Sequence, residues 1–93
     1  MVIELATHKI LKDLKDGNYL LRSHALDMMV ARKLTNADIV RIAETCAEFA
    51  VLGNGLYRVS GIRLNGRGIA IVCKIENKTV IITVMKRRVR RRK

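Results

Sequence analysis

Ninety-three residues, 49% of them hydrophobic, suffice for one small domain with a mainly aliphatic core and leave no room for a second. Tyr19, Phe49 and Tyr57 are too few aromatics for the stacking platforms of single-strand RNA-binding sheets, and Cys46 and Cys73 fit no zinc or redox spacing, so metals, cofactors and disulfide frameworks are set aside. The formal net charge of +11 sits mostly at one end, because Lys86, Arg87, Arg88, Arg90, Arg91, Arg92 and Lys93 supply +7 while residues 1–85 carry +4, 12 basic minus 8 acidic.

Ile3, Ala6, Ile10, Leu11 and Leu14 recur at three- and four-residue steps between charged residues, which predicts an amphipathic first helix. Asp16-Gly17-Asn18 stops it, and Tyr19-Leu20-Leu21 reads as a short extended piece. Ser23 is the expected N-cap of a second helix carrying Ala25, Met28, Met29 and Arg32. Thr35 is the expected N-cap of a third, its hydroxyl accepting from the Asp38 N–H, with Ile39, Ile42, Ala43 and Cys46 on one face.

After Ala47 the period changes to two. Phe49 and Val51 begin a first strand of the meander, Gly53-Asn54-Gly55 breaks it, and Leu56 to Leu64 resumes it. Asn65-Gly66 predicts a two-residue type I′ turn, Gly68 to Ile75 the returning strand, and Asn77-Lys78 a second turn before Val80 to Met85. The expected fold is α+β: two to three N-terminal helices packed on a three- to four-stranded antiparallel meander, one domain over residues 1–86 with a basic tail at 87–93.

Two-residue turns would pair Ser60 with Ile71, Arg58 with Cys73 and Ile75 with Val80. That register puts Ile62, Ile69, Ile71, Cys73, Ile75, Val80, Ile82 and Val84 on the core face. Tyr57, Val59, Arg63, Ala70, Val72, Lys74, Ile81, Thr83, Met85 and Arg87 fall on the opposite face, which is the expected ligand surface.

A basic block this dense points to a polyanion, because neutralising phosphates releases condensed counterions. Nucleic acid, RNA ahead of DNA, is the expected partner, with Arg32, Lys74, Lys86, Arg87, Arg88, Arg90, Arg91, Arg92 and Lys93 as phosphate contacts. A solvated tail that only aids solubility is the competing reading. The start Met-Val-Ile-Glu is neither a signal peptide nor a membrane span, and no apolar segment or lipidation signal supports stable membrane anchoring, so a cytoplasmic location is expected.

The segment Ser23-His24-Ala25-Leu26-Asp27-Met28-Met29-Val30-Ala31-Arg32-Lys33-Leu34-Thr35, followed by Tyr57-Arg58-Val59-Ser60-Gly61 and by Val80-Ile81-Ile82-Thr83-Val84, resembles the domain of unknown function (DUF) 4258 family. In that family a His-Ala opens a helix, a Tyr-Arg-Val-x-Gly strand follows, and a Val-Ile-Thr-Val strand ends the domain. The resemblance implies a fold like the RelE, ParE and BrnT toxins, in which helices cover one side of an antiparallel sheet and the open side or its edge meets RNA or an antitoxin. Read as a protein-interaction partner, the chain would dock an acidic antitoxin or a second copy of itself through the basic tail, with strand pairing at the exposed edge of the meander. Arg32 and Thr83 match the family pattern, whereas Met28 and Met85 stand where the family usually has an arginine and a tyrosine.

Metal-free RNA cleavage needs a group to take the 2′-OH proton, one to protonate the leaving oxygen, and cations for the charge on phosphorus. His24 is the proton-transfer candidate, with Arg58, Arg63 or Lys74 holding phosphate and Thr83 donating a hydrogen bond; His24, Arg58, Arg63 and Thr83 form the candidate catalytic set of an endoribonuclease. The competing reading makes His24 a helix-start residue satisfied by nearby backbone or sheet. A third makes the chain a non-enzymatic nucleic-acid-binding or antitoxin-binding module. No Walker loop, HExxH, paired-carboxylate cluster or nucleophile elbow is present.

Overall fold

The structure is a computed structural model that describes residues 3–87; Arg88, Arg90, Arg91, Arg92 and Lys93 lie outside the described residues. Helix α1 spans Ile3–Asp16 and strand β1 Tyr19–Leu21. Helices α2 (Ser23–Ala31) and α3 (Asn36–Thr45) follow, and then β2 (Glu48–Gly53), β3 (Leu56–Ile62), β4 (Gly68–Glu76) and β5 (Lys78–Lys86). The sheet order is β1-β5-β4-β3-β2. The α+β class holds, but the sheet is mixed: β1, the short extended piece, pairs in parallel with β5 and makes a five-stranded sheet where three or four antiparallel strands were expected. No helix among the described residues is long and apolar enough to cross a membrane.

Each helix end has a local cause. Gly17 at φ 74° ends α1, and the Asn18 N–H donates to the Asp13 carbonyl at 2.9 Å. The N-cap of α2 is Arg22, not Ser23: the Arg22 N–H donates to the Ile81 carbonyl at 3.0 Å, so pairing with β5 holds this residue extended and the helix starts one residue later. Lys33 turns left-handed at φ 53° to end α2, with the Leu34 N–H on the Met29 carbonyl at 2.8 Å. Thr35 caps α3 in the expected manner, within a full capping box shared with Asp38.

One core lies between the helices and the sheet. Ile10 and Leu14 of α1, Ala25 and Met29 of α2, and Ile39, Ile42 and Ala43 of α3 pack on Val59, Ile69, Ile71, Cys73, Ile81 and Val84. Burial pushes the Cys73 thiol up to about 12, so it serves as a small apolar side chain. Asp13 ties α1 to β5, its Oδ2 accepting from Thr79 Oγ1 at 2.9 Å and from the Thr79 N–H at 3.3 Å. Helix α3 lies so close to β3 that a Cβ at Gly61 would collide with the Ile42 carbonyl oxygen, while Thr45 Oγ1 accepts from the Ile62 N–H at 2.9 Å.

Both turns differ from expectation by one residue, and the faces change with them. The β3–β4 connection closes with the Arg63 N–H on the Arg67 carbonyl at 3.0 Å and the Gly66 N–H on the Arg63 carbonyl at 2.9 Å, leaving Leu64, Asn65 and Gly66 in the loop. Gly66 at φ 85° makes this the three-residue form rather than type I′. Ser60 therefore opposes Ala70, and Arg58 opposes Val72. A bulge between Val72 and Cys73 then moves β5, so that Cys73 meets Ile81 and Val72 meets Thr83. Tyr57, Val59 and Ile81 thus face the helices, while Val80 lies on the far side with Arg58, Ser60, Ala70, Val72 and Lys74. The expected faces hold along β4 and invert along β3.

Candidate functional site

The three-residue turn governs where the arginines go. Arg63, expected on the open face beside Lys74 and Arg87, instead reaches the C-terminal end of α2. Its Nη1 donates to the Arg32 carbonyl at 3.0 Å, and its Nη2 donates to the Lys33 carbonyl at 2.8 Å and to Asp38 Oδ2 at 3.0 Å. The guanidinium thereby satisfies carbonyls that the helix leaves free and carries positive charge to the negative end of its dipole. Asp38 closes the arrangement, with Oδ1 accepting from the Leu64 N–H at 3.0 Å. Burial alone would raise the Asp38 pKa, but hydrogen bonds from Thr35, Leu64 and Arg63 outweigh it and hold the carboxyl below its ordinary value.

Beside this anchor lies a cavity of about 580 Å³ lined by Ala31, Arg32, Arg63, Asn65, Arg67, Gly68, Ile69, Lys86 and Arg87. Its walls are the end of α2, the β3–β4 turn and the end of β5. The Lys86–Ile69 pairing and the Arg87 N–H on the Gly68 carbonyl at 3.2 Å hold the last wall in place. Five of the nine lining residues are cationic and none is acidic, and two of the five, Arg63 and Arg87, are paired with Asp38 and Glu48. The Arg32, Arg67 and Lys86 side chains have no ion pair or hydrogen-bond acceptor among the described residues, and Arg32 Nε and Arg63 Nε are buried without one.

The open sheet face carries a second arrangement. Arg58 Nη2 and Arg87 Nη2 both lie 2.9 Å from Glu48 Oε1. Hydrogen bonding from Arg58, followed by the positive charges of Arg87 and Arg58, holds the Glu48 pKa below its ordinary value. Ser60 Oγ, on the same face, is buried without a hydrogen-bond partner among the described residues. Lys74 is engaged by Glu76, which also pairs with Arg22 at 3.2 Å.

The candidate catalytic residues are therefore dispersed. His24 is exposed in the first turn of α2, while Arg63 grips the other end of that helix at Arg32, eight residues or roughly 12 Å away. Arg58 and Thr83 share the open face on strands two apart, with backbones about 10 Å from one another. Of the expected phosphate contacts, Arg32, Lys86 and Arg87 meet in the cavity, Lys74 stands apart on the sheet, and the remaining five lie outside the described residues. Arg67 belongs to the cavity and was absent from the sequence-based set; its signal was the adjoining Asn65-Gly66 turn, which brings whatever flanks it to the end of the sheet.

No family model, curated protein or solved structure matches the chain.

Proposed function

We propose that this chain is a nucleic-acid-binding protein that holds RNA phosphates in the cavity between the end of α2, the β3–β4 turn and the end of β5, and does so without cleaving them. The observation carrying this reading is the meeting of Arg32, Arg67 and Lys86, three cations without acidic partners among the described residues, beside Arg63 and Arg87. Like charges gathered in one concavity repel one another, and a bound anion relieves that repulsion. The chain continues from Arg87 directly into Arg88, so further cations are covalently tied to the rim.

The non-enzymatic form is favoured because general acid–base catalysis needs its proton-transfer group within hydrogen-bond reach of the reacting atoms. His24 stands about 12 Å along α2 from the cavity. A RelE-like, toxin-type ancestry is part of the proposal. It is supported by the order of the His24-Ala25, Tyr57–Gly61 and Val80–Val84 segments and by helices packed on one sheet face with the other open.

The test incubates the full chain with a labelled single-stranded RNA across a salt series. The reading expects binding that weakens steeply with salt, with the RNA intact. Cleavage by the wild type that is lost in His24→Ala would restore the ribonuclease reading, and absence of RNA binding at low salt would remove the proposal entirely.

A further inference from the structure

We infer that the cavity recognises the terminal phosphate monoester of an RNA strand in preference to an internal phosphodiester, an assignment that rests on the nucleic-acid reading above. Three features lead to it. The site is a concavity with walls from α2, the β3–β4 turn and β5, rather than a ridge or track. An internal phosphodiester must enter and leave such a site with chain on both sides, whereas a strand end needs one opening.

The second feature is charge. An internal phosphodiester carries a single negative charge, while a phosphate monoester carries about −1.5 to −2 at neutral pH and offers three acceptor oxygens. Arg32, Arg67 and Lys86 bring three cations that no carboxylate neutralises among the described residues, which suits the more highly charged group. Asp38 and Glu48, the acids nearest this region by their bonding, engage Arg63 and Arg87.

The third feature is the supply of directed donors. Arg32 Nε is a buried N–H group with no acceptor among the described residues. A buried donor left unmade is unfavourable, and a monoester has enough oxygens to accept from Arg32 while also meeting Arg67 and Lys86. Ala31, Asn65, Gly68 and Ile69 complete the lining, and the side-chain acceptor among these four, Asn65 Oδ1, already accepts from the Arg67 N–H at 3.0 Å.

The experiment uses one ten-nucleotide RNA carrying an internal fluorophore in three forms: both ends hydroxyl, 5′-phosphorylated and 3′-phosphorylated. Each is titrated with the full chain at fixed salt. The inference expects at least one phosphorylated form to bind about tenfold more tightly than the hydroxyl form. In Arg67→Ala and Lys86→Ala that ratio should fall toward one whatever the absolute affinity, and circular dichroism should confirm that both variants fold; in Lys12→Gln, on the exposed face of α1, the ratio should be kept. Equal binding of the three forms overturns the end-recognition while leaving RNA binding intact. No binding of any form overturns both. If inorganic phosphate saturates the cavity but none of the RNAs binds, the ligand is a free anion and the strand-end assignment fails.

Discussion

Arg58 and Arg87 direct their Nη2 atoms at a single oxygen, Glu48 Oε1, each at 2.9 Å. Arg58 comes from β3, Arg87 follows β5, and Glu48 opens the edge strand β2, so one carboxylate gathers two cations from opposite sides of β4. A phosphate oxygen placed where Oε1 lies would meet the same two donors. On the proposed reading, Glu48 is thus an internal competitor for the RNA phosphate.

Glu48→Gln should therefore bind RNA more tightly than the wild type. Releasing two arginines to phosphate would steepen the log affinity against log salt slope by about 1.4, at roughly 0.7 per phosphate contact on a single strand. Fluorescence anisotropy at four salt concentrations measures this. An unchanged or weaker affinity would mean that the Arg58–Glu48–Arg87 group only braces the sheet.

Arg63 is a structural anchor by its bonding. Its side chain is 12% exposed and holds two carbonyls at the end of α2 together with Asp38, itself nearly buried. Arg63→Ala leaves Asp38 with an unpaired charge and should lower stability by about 3 kcal/mol in urea unfolding. Arg63→Lys should recover only part of that loss, since one ammonium cannot reproduce the planar fork. A fully stable Arg63→Ala protein that has lost RNA affinity would instead place Arg63 among the phosphate contacts.

Gly61 marks the closest approach of α3 to β3. A methyl group there meets the Ile42 carbonyl and Thr45 Oγ1, neither of which can move without disturbing the helix end or the Thr45 to Ile62 hydrogen bond. Gly61→Ala should cost about 1–3 kcal/mol, read as a lower urea midpoint with an unchanged slope.

Acid should weaken the fold through Asp13 and Asp38. Burial opposes ionisation of each. For Asp13, hydrogen bonds from Thr79 and Lys9 prevail; for Asp38, those from Thr35, Leu64 and Arg63 do. Both folded-state values are therefore depressed. A depressed carboxylate contributes stability that is present above its unfolded value of about 3.9 and is lost as pH falls through its folded value. Stability should hold down to about pH 4 and decline below it, and Asp13→Asn should show a shallower acid decline from a lower starting stability. A decline centred near pH 6 would contradict this assignment.

The helices were legible because their signals are local: Gly17 as a stop, Thr35 with Asp38 as a capping box, and the apolar spacing of Ala6, Ile10 and Leu14. The parallel partner of Tyr19–Leu21 was not, since that pairing joins residues about sixty positions apart and leaves no periodic mark. The face inversion has a sharper cause. Asn65-Gly66 is compatible with a two- or a three-residue loop, and the choice is made by Arg63 and Leu64 docking on Asp38. A one-residue difference in register exchanges the two faces of a strand. That difference sent Arg63 to the helix and moved Arg58, expected opposite Cys73, onto the open sheet face opposite Val72. The basic run was legible as charge, whereas its meeting with Arg32 and Arg67 required the folded end of the sheet.

The central claim is that unpaired cations of one cavity hold RNA phosphates. The most direct measurement is the salt dependence of single-stranded RNA binding by the full chain and by a variant carrying Arg32→Ala, Arg67→Ala and Lys86→Ala together, with residues 88–93 intact in both. The cavity reading predicts that the slope of log affinity against log salt becomes shallower by about 2, roughly 0.7 for each lost contact. Identical slopes and affinities for the two proteins would contradict it and assign the binding to residues outside the cavity.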